Sequence, residues 1–438
     1  MDTKNIIITV VSVIFVLIVI AVVLILIYTK KEDKKSTFLT KWLAVGGYDV
    51  QIYRSQNGIN WSEVNKRLFN VKINNLNTGF ANKVAHGLTT GSEPIWIMVG
   101  RSSEGKQIYY SSDGESWNST TGSCFGPADR EADGNGIAYG LSSNNTTGIW
   151  VAAGKIENNI TDYHRNLLYS LDGKEWNTST GISFDVDGNH VAYGLSSNNT
   201  TGIWTAIGTH TDKQKNILYS LDGKEWLAST GSSFSNTGNG IAYGLSSNNT
   251  TGIWVASGQD LTGDGKASTG KNLLFSLDGQ DWQECTGVSF KTTSNRSPSV
   301  IAFASNAAYG LSSDKETGIW VATGMDNEFS LLYSLNGQEW FRTTGASFGS
   351  GQYASDVAYG LTDDNKTGIW VATGTGGNQI LYSYDGIEWK LSQDDIKFNP
   401  IGIGNGGGVA SDLTNVAFKN TGVSAYLPAI PDVFPNYR

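Results

Sequence analysis

The sequence predicts an all-β protein, namely a seven-bladed β-propeller of four-stranded blades, closed by a C-terminal strand and preceded by one transmembrane α-helix. All fourteen tryptophans fall in two registers of a unit that recurs seven times. Each unit carries four short apolar or alternating runs, and an uncharged apolar segment precedes the first unit. Such periodicity is typical of propellers, and 53 glycines against 7 prolines suit short strands joined by tight turns.

The apolar segment covers residues 6–28 and carries no charged side chain. At about 1.5 Å per residue it reaches roughly 34 Å, enough to cross a hydrocarbon core of about 30 Å. A cleaved signal peptide would have a shorter apolar core and a small-residue cleavage site before Lys30. We therefore expect a single-pass membrane protein held in the lipid bilayer by residues 6–28, with a short N-terminal flank (1–5) and a lysine-rich juxtamembrane linker (29–40).

Two signals disagree about orientation. Four lysines follow the apolar segment, and the positive-inside rule would then keep the body in the cytoplasm. Twelve N-x-S/T sequons, among them Asn60 and Asn159, favour a propeller on the extracytoplasmic or virion-surface side. Most of these sequons belong to a repeated turn sequence, so the orientation stays open. We expect the propeller to lie on the extracytoplasmic or virion-surface side.

Charge and cysteine content exclude some classes of function. The chain has a net charge of −9, and the residues after the linker are more acidic still, which argues against nucleic acid as a partner. Cys124 and Cys285 lie in different units, so no disulfide framework is predicted, and both are interpreted as small, partly buried hydrophobic residues.

The repeat unit reads IAYGLSSNNTTGIWVAAG, then a variable stretch, then NLLYSLDGKEW and a TG-x-SF segment. We number the units 1 to 7 by their tryptophan pairs. The first tryptophans are Trp42, Trp96, Trp150, Trp204, Trp254, Trp320 and Trp370. The second tryptophans are Trp61, Trp117, Trp176, Trp226, Trp282, Trp340 and Trp389.

The four runs of a unit predict four antiparallel strands, because Asp-Gly or Asn-Gly between the third and fourth runs favours a hairpin turn. Radial closure protects the strand edges, and a linear solenoid is the alternative. Unit 1 lacks a first strand, and the segment GGVASDLTNVAFKN after unit 7 can supply it, through residues 409–413 or 415–419. The propeller is predicted over 41–425, followed by a proline-containing tail over 426–438.

The turn segments resemble the Asp-box, also called the bacterial neuraminidase repeat, over roughly residues 41–420. They include SQNGINW (55–61), SSDGESW (111–117) and SLDGKEW (170–176), and they are one residue shorter between Asp and Gly than the family pattern S-x-D-x-G-x-x-W. The resemblance implies a folding element that occurs in both enzymes and binding modules. Its acidic or amide position is predicted to be structural, accepting backbone N–H bonds across the turn, at Asn57, Asp113, Asp172, Asp222, Asp278, Asn336 and Asp385.

The same resemblance implies sialidases as catalytic relatives. These enzymes need three convergent arginines, a Tyr/Glu nucleophile pair and an acid/base Asp, usually with an Arg-Ile-Pro segment, and no such segment occurs in this sequence. Equivalent turn carboxylates spread around a ring cannot form one catalytic pair. The four histidines are interpreted as structural. We therefore predict no catalytic residue, metal or cofactor, and keep a sialidase-like glycosidase as the alternative.

A binding face follows from comparing the units with one another. The loop between the first and second strands and the turn between the third and fourth are nearly constant, whereas the loops between the second and third strands and between units vary. Because function concentrates on loops carried by a rigid scaffold, the variable face is predicted to bind the ligand, unless these loops simply tolerate change. The candidate contacts are Tyr163, His164, Arg165, His210, Asp260, Asp264, Arg296 and Glu328.

Together these observations predict a membrane-anchored, non-enzymatic surface protein. It would serve in recognition, adhesion or structure and bind a protein or glycan partner through the variable face. Besides the glycosidase, the alternative is an architectural component of an envelope or virion membrane, suggested by the near-identical repeats.

Overall fold

The computed structural model describes most of the repeat region. It divides into two compact units, Met1–Leu39 and Thr40–Arg438, and all described residues belong to the second. The described residues are 41–46, 51–64, 72–73, 76–77, 80–101, 106–126, 132–142, 147–156, 166–196, 201–246, 251–262, 268–291, 301–314, 316–326, 328–349, 352–364, 366–376, 379–392 and 406–411.

Each sequence unit folds into consecutive antiparallel strands, the first innermost and the fourth outermost. The first strands are Phe80–Leu88, Asp133–Leu141, Asp187–Leu195, Thr237–Leu245, Phe303–Leu311, Ala354–Leu361 and, for unit 1, Gly406–Ser411. The second strands are Trp42–Gly46, Pro94–Arg101, Gly148–Lys155, Gly202–Thr209, Gly252–Gln259, Gly318–Met325 and Gly368–Gly374. The third strands are Gln51–Ser55, Ile108–Ser111, Leu167–Ser170, Ile217–Ser220, Leu273–Ser276, Leu331–Ser334 and Ile380–Ser383.

The fourth strands are shorter and form the rim. They are Ser62–Glu63, Asn118–Ser119, Glu175–Thr178, Glu225–Ala228, Asp281–Glu284, Glu339–Arg342 and Glu388–Leu391. Burial explains why second and fourth strands differ in sequence pattern. The second strand Gly148–Lys155 is buried on both faces and is a continuous apolar run, whereas the fourth strand Glu175–Thr178 alternates exposed and buried side chains. A hairpin of Lys72–Ile73 with Leu76–Asn77 and a short 3₁₀ helix, Lys213–Lys215, lie between strands.

The first tryptophan of a unit joins that unit to the preceding one. Trp254 is fully buried, and its indole Nε1 donates to the carbonyl oxygen of Leu195, at the end of the preceding first strand, at 3.0 Å. The same bond recurs around the molecule, and Trp42 donates to Leu361 at 3.0 Å, which joins unit 1 to unit 7. These tryptophans therefore hold neighbouring units together as well as filling the core.

The Asp-Gly turns are hydrogen-bonded as the sequence predicted. In the turn of unit 3, Asp172 Oδ1 accepts the backbone N–H groups of Lys174 and Glu175 at 2.8 and 2.9 Å, and Gly173 adopts a φ of 75°. Burial opposes ionisation of the carboxyl, but these N–H groups outweigh it and hold the pKa of Asp172 below its usual value. The corresponding amide of Asn336 accepts the equivalent two bonds in unit 6.

A fifth strand, which the sequence analysis did not predict, links successive units. The Thr-Gly pair of the TG-x-SF segment runs parallel to the fourth strand of the next unit, as Thr286 and Gly287 do beside Glu339 and Trp340. This strand covers an edge that would otherwise be open. It occurs at Thr121–Gly122, Thr180–Gly181, Thr230–Gly231, Thr286–Gly287 and Thr344–Gly345.

The prediction of seven separate four-stranded blades is wrong. The described strands form five separate blade-sized sheets, of four strands in units 1 and 2 and five in units 5, 6 and 7. Units 3 and 4 instead share one ten-stranded sheet, because Lys155 at the end of one second strand pairs with Asp187 at the start of the next first strand. Sequence periodicity counts the repeats, but hydrogen bonds between repeats decide where one sheet ends.

The same prediction placed a transmembrane helix at residues 6–28, and the fold gives it no support. Those residues lie outside the described part of the chain. Among the residues that are described, no helix has the length and apolar character needed to cross a membrane.

The C-terminal strand that completes unit 1 is Gly406–Ser411. It pairs antiparallel with Trp42–Gly46, so that Val409 lies opposite Ala44. This strand overlaps the first of the two sequence candidates, while residues 412–419 lie outside the described chain. Gly406–Ser411 also packs against the first strands of units 7 and 2, so the inner strands surround a common axis.

Candidate axial ligand site

The candidate site lies on this axis, at the end of the inner strands where each strand begins. There the first strand runs beside the end of the second strand, as Asp187 pairs with Thr209 and Thr237 with Gln259. The second strand leaves this end into the loop that varies most between units. The axial site and the variable loops therefore share one end of the inner strands.

A belt of asparagines forms the first layer of the site. Asn82, Asn135, Asn189 and Asn239 occupy equivalent positions near the start of four successive first strands. Each Nδ2 donates to a backbone carbonyl of the next first strand, for example Asn135 to Gly188 at 3.1 Å and Asn189 to Gly238 at 2.7 Å. Because only the amide N–H₂ can donate to a carbonyl, these bonds fix the amide orientation.

A buried ion pair lies one residue further along the strands. Lys83 Nζ lies 2.5 Å from Asp356 Oδ1, and the Asp356 side chain is 4% exposed. Asn306 Nδ2 also donates to Asp356 Oδ1, and the backbone N–H of Val409 donates to Oδ2 at 2.9 Å. Asp356 thus joins side chains of units 2 and 6 and the closing strand of unit 1.

His190 faces the same space. Its Nδ1 lies 3.1 Å from the carbonyl oxygen of Ile241 and 3.4 Å from the backbone nitrogen of Ile241, whose N–H can donate to it, so the two contacts correspond to different tautomers of the ring. Burial lowers the pKa of His190 well below its usual value, and the positive charge of Lys83 adds to the effect. The imidazole is neutral at pH 7, and its Nε2 accepts or donates a hydrogen bond according to which ring nitrogen carries the proton.

These residues enclose a cavity of about 250 Å³ on the axis. Four of the lining residues contain a buried polar atom that has no hydrogen-bond partner among the described residues: His190 Nε2, Asn306 Oδ1 and the hydroxyls of Ser305 and Ser355. Leaving such atoms unpaired costs free energy, so a filled cavity is favoured. The lining residues are Asn82, Lys83, Asn135, Asn189, His190, Asn239, Ser305, Asn306, Tyr353, Ser355 and Asp356.

The carboxylate of Asp356 is already engaged within the protein. It pairs with Lys83 and accepts hydrogen bonds from the Asn306 side chain and the backbone N–H of Val409. Among the described residues that line the cavity, Asp356 is the only carboxylate. Within the described ranges, no cluster of three or more His, Cys, Asp or Glu side chains could hold a metal ion.

Three of the sequence-predicted contact residues lie in the described part, and each already has a hydrogen-bond or ion-pair partner within the protein. His210 accepts the backbone N–H of Asp212 on Nδ1 at 2.9 Å. Asp260 accepts the backbone N–H of Ser235 at 2.8 Å, and Glu328 forms an exposed ion pair with Arg342 at 2.9 Å. They belong to units 4, 5 and 6, and none lines the axial cavity. The other candidates lie outside the described residues: Tyr163, His164, Arg165, Asp264 and Arg296.

The described arginines form no convergent triad. Arg101 makes a two-point ion pair with Asp133, Arg54 pairs with Glu115, and Arg342 pairs with Glu328. None of these three lines the cavity. Among the described residues, the sialidase-like alternative therefore has no arginine cluster.

Sequence reasoning missed the axial residues, although a signal was present. Asparagine recurs just before the apolar run in ANKVAHGL, in GNHVAYGL and twice in GNGIAYGL. A polar residue repeated at a buried position indicates a shared hydrogen-bonding role. Lys83, His190, Asn306 and Asp356 show no such repetition, because each occurs once at its position, and only the closed arrangement brings them together.

Comparisons with known proteins gave matches to solved structures at low sequence identity. No protein-family model matches the sequence, and neither does any curated protein. Among solved structures, the GH74 xyloglucanase from Xanthomonas campestris is 12% identical and aligns with a TM-score of 0.30 over 81% of this chain and 63% of its own. The chain thus spans under two thirds of that enzyme.

Two further structures are similar at the same level. The Dos1 propeller is 9% identical, with a TM-score of 0.40 over 80% of this chain and 78% of its own. Virginiamycin B lyase from Staphylococcus aureus is 10% identical, with a TM-score of 0.42 over 75% of this chain and 88% of its own. The fold and the axial site define this protein as an all-β propeller, a class that includes both enzymes and non-enzymes.

Proposed function

We propose that this chain is a non-enzymatic recognition protein that binds glycans at the end carrying its variable loops. The observation that supports this most is the axial cavity, whose polar wall is built by six inner strands and whose acidic group is already neutralised. A rigid ring that ends in variable loops around a polar cavity is suited to holding a ligand.

Two parts of the proposal rest on the sequence. The apolar run of residues 6–28 would attach the chain to a lipid bilayer, with the propeller on the extracytoplasmic or virion-surface side. The Asp-Gly turns would be a shortened form of the Asp-box. Recovery of the full chain, but not of a variant lacking residues 1–40, in the membrane fraction would support the attachment, and equal distribution of both would contradict it.

A glycan array tests the recognition. The full chain, reconstituted in lipid nanodiscs, is applied to immobilised glycans, and the products are checked for released sugars. We expect retention on a subset of glycans and no release. Replacing the variable loop 156–165 by a short glycine linker should weaken retention, whereas the same replacement of the constant loop 313–316 should not.

Two results would overturn the proposal. An array on which nothing is retained would remove glycan recognition. Release of sugars from the array would show a glycosidase and establish the sialidase-like alternative.

A further inference from the structure

The chemistry of the wall of the axial cavity restricts which ligands can bind there. Three properties of the wall bear on ligand chemistry: its net charge, the kind of polar atom left without a partner, and its size. The inference rests on the proposed function, because it specifies which part of a glycan the site holds.

Among the described residues, the net charge of the wall is zero. In this part of the lining the charged side chains are Lys83 and Asp356, which neutralise each other at 2.5 Å, and the buried imidazole of His190 is neutral. A charged ligand group placed beside them would lose its hydration without gaining a counter-charge, which is costly in a buried site. The wall therefore favours an uncharged ligand.

The unpartnered atoms can both accept and donate hydrogen bonds. Asn306 keeps Oδ1 as an acceptor after donating Nδ2 to Asp356, and Nε2 of His190 accepts or donates according to the tautomer. Asn306 is 6% exposed, so this oxygen is removed from bulk water. The hydroxyls of Ser305 and Ser355 can donate or accept. A complementary ligand must offer several O–H or N–H donors together with acceptors.

The dimensions favour one small ring. About 250 Å³ lies below the roughly 300–1,000 Å³ of sites for drug-sized ligands. Tyr353 adds an aromatic side chain to the otherwise polar wall, a surface against which C–H groups can pack. Hydroxyl groups on a compact ring satisfy all three properties.

We propose that the axial cavity binds a single neutral monosaccharide unit, held by the polar side chains of its lining, among them Asn306, His190, Ser305 and Ser355. This unit would be the terminal residue of the recognised glycan, because the cavity lies where the inner strands begin, at the variable-loop end. Acidic and amino sugars are excluded by the balanced charge of the wall.

Calorimetric titration of the full chain in nanodiscs tests this with matched sugars. The neutral probes are glucose, galactose, mannose and N-acetylglucosamine, and the charged probes are glucuronate and glucosamine, which share the same ring. We expect at least one neutral sugar to bind, and its charged counterparts to bind at least about tenfold more weakly. Absence of binding by every neutral sugar, or tighter binding of a charged one, would overturn the inference.

Serine variants locate the binding. Ser305→Ala and Ser355→Ala each remove a hydroxyl that has no partner among the described residues, and each should weaken binding of the neutral sugar about fivefold. Ser229→Ala is the matched control, because its buried hydroxyl also lacks a described partner but lies away from the cavity. An equal affinity for all three variants would place the sugar elsewhere and contradict the axial site.

Different results would contradict glycan recognition and sugar binding at the axis. Retention on the array together with no effect of Ser305→Ala and Ser355→Ala would leave glycan recognition standing and remove the axial sugar. An empty array with monosaccharide binding at the axis would remove recognition of glycan chains and leave the cavity as a site for free sugar.

Discussion

At the scale of single residues, the indole nitrogen of the first tryptophan links each unit to the preceding one. The indole side chain fills the core, and its N–H donates a hydrogen bond to a backbone carbonyl of the preceding unit. Trp254 and Trp42 make this bond to Leu195 and Leu361 respectively, both at 3.0 Å. An aromatic side chain with a polar handle is therefore needed at this position, which explains why no other aromatic residue replaces it in any unit.

Trp254→Phe tests this double role. Phenylalanine keeps part of the apolar surface but leaves the buried carbonyl of Leu195 without its donor and leaves space beside it. We expect the free energy of unfolding to fall by at least about 2 kcal/mol, measured by urea titration. Trp117→Phe is the control, because Trp117 is only half-buried and donates within its own turn at 3.3 Å, and it should cost clearly less. Equal losses would contradict the linking role.

The turn carboxylates make a prediction about acid. Burial opposes ionisation of Asp278, but the N–H groups of Asp281 and Gln280 outweigh it and hold its pKa below the usual value. A depressed folded pKa stabilises the protein above the unfolded pKa of about 3.9, and the contribution is lost as pH falls through the folded pKa.

We expect Asp278→Asn to flatten the loss of thermal stability below about pH 4, because an amide accepts the same bonds without titrating. The reciprocal variant Asn336→Asp, in the equivalent turn of unit 6, should steepen that loss. Melting temperatures measured from pH 7 down to pH 3 compare the three proteins. Parallel curves would show that these turns do not contribute to acid sensitivity.

At the scale of elements, the fifth strand links neighbouring units at the rim, as the first tryptophans link them in the core. Thr286 and Gly287 leave their own unit and pair with the outer strand of the next one. The glycine has a φ of 85°, and a Cβ there would lie 2.5 Å from the carbonyl oxygen of Trp340. Only glycine fits this approach, so the rim link depends on it.

Gly287→Ala should therefore destabilise units 5 and 6 together. We expect a loss of about 1–3 kcal/mol in the free energy of unfolding, because both backbone strain and the clash oppose alanine. Gly91→Ala is the control, because a Cβ at Gly91 meets nothing closer than 3.7 Å. A stability for Gly287→Ala that matches the control would show that the fifth strand is dispensable.

At the scale of the whole molecule, the first and last described segments meet. Gly406–Ser411 completes the sheet of Trp42–Gly46, whose tryptophan is completely buried. Asp356 holds the same strand through the N–H of Val409 while pairing with Lys83. Closure of the ring and assembly of the axial cavity thus depend on the same contacts.

Deleting residues 406–438 should uncover the strand Trp42–Gly46 and remove one of the inner strands that surround the axis. We expect a broad, low-temperature melting transition and loss of sugar binding, measured by circular dichroism and calorimetry. Deleting only residues 426–438 keeps the closing strand and should leave both properties unchanged. A sharp native-like transition for the larger deletion would show that the strand does not close the ring.

A feature of this molecule could be predicted from the sequence when its interactions join residues that are close together in the chain. The turn at Asp172 was predictable because its bonds span three residues. The partition of strands into sheets was not, because the pairing of Lys155 with Asp187 depends on where two strands stop. The cavity was less predictable still, since Lys83 and Asp356 are separated by 273 positions in the chain.

The sequence by itself determined the all-β propeller class, the repeat and the structure of its turns, because local hydrogen bonds and alternating burial leave a pattern in each unit. Only the tertiary structure decided that units 3 and 4 share a sheet, that Gly406–Ser411 completes unit 1, and that a cavity lined by polar side chains of six units lies on the axis. These features arise where different repeats meet, and a pattern within one repeat carries no record of which atoms face one another across the ring.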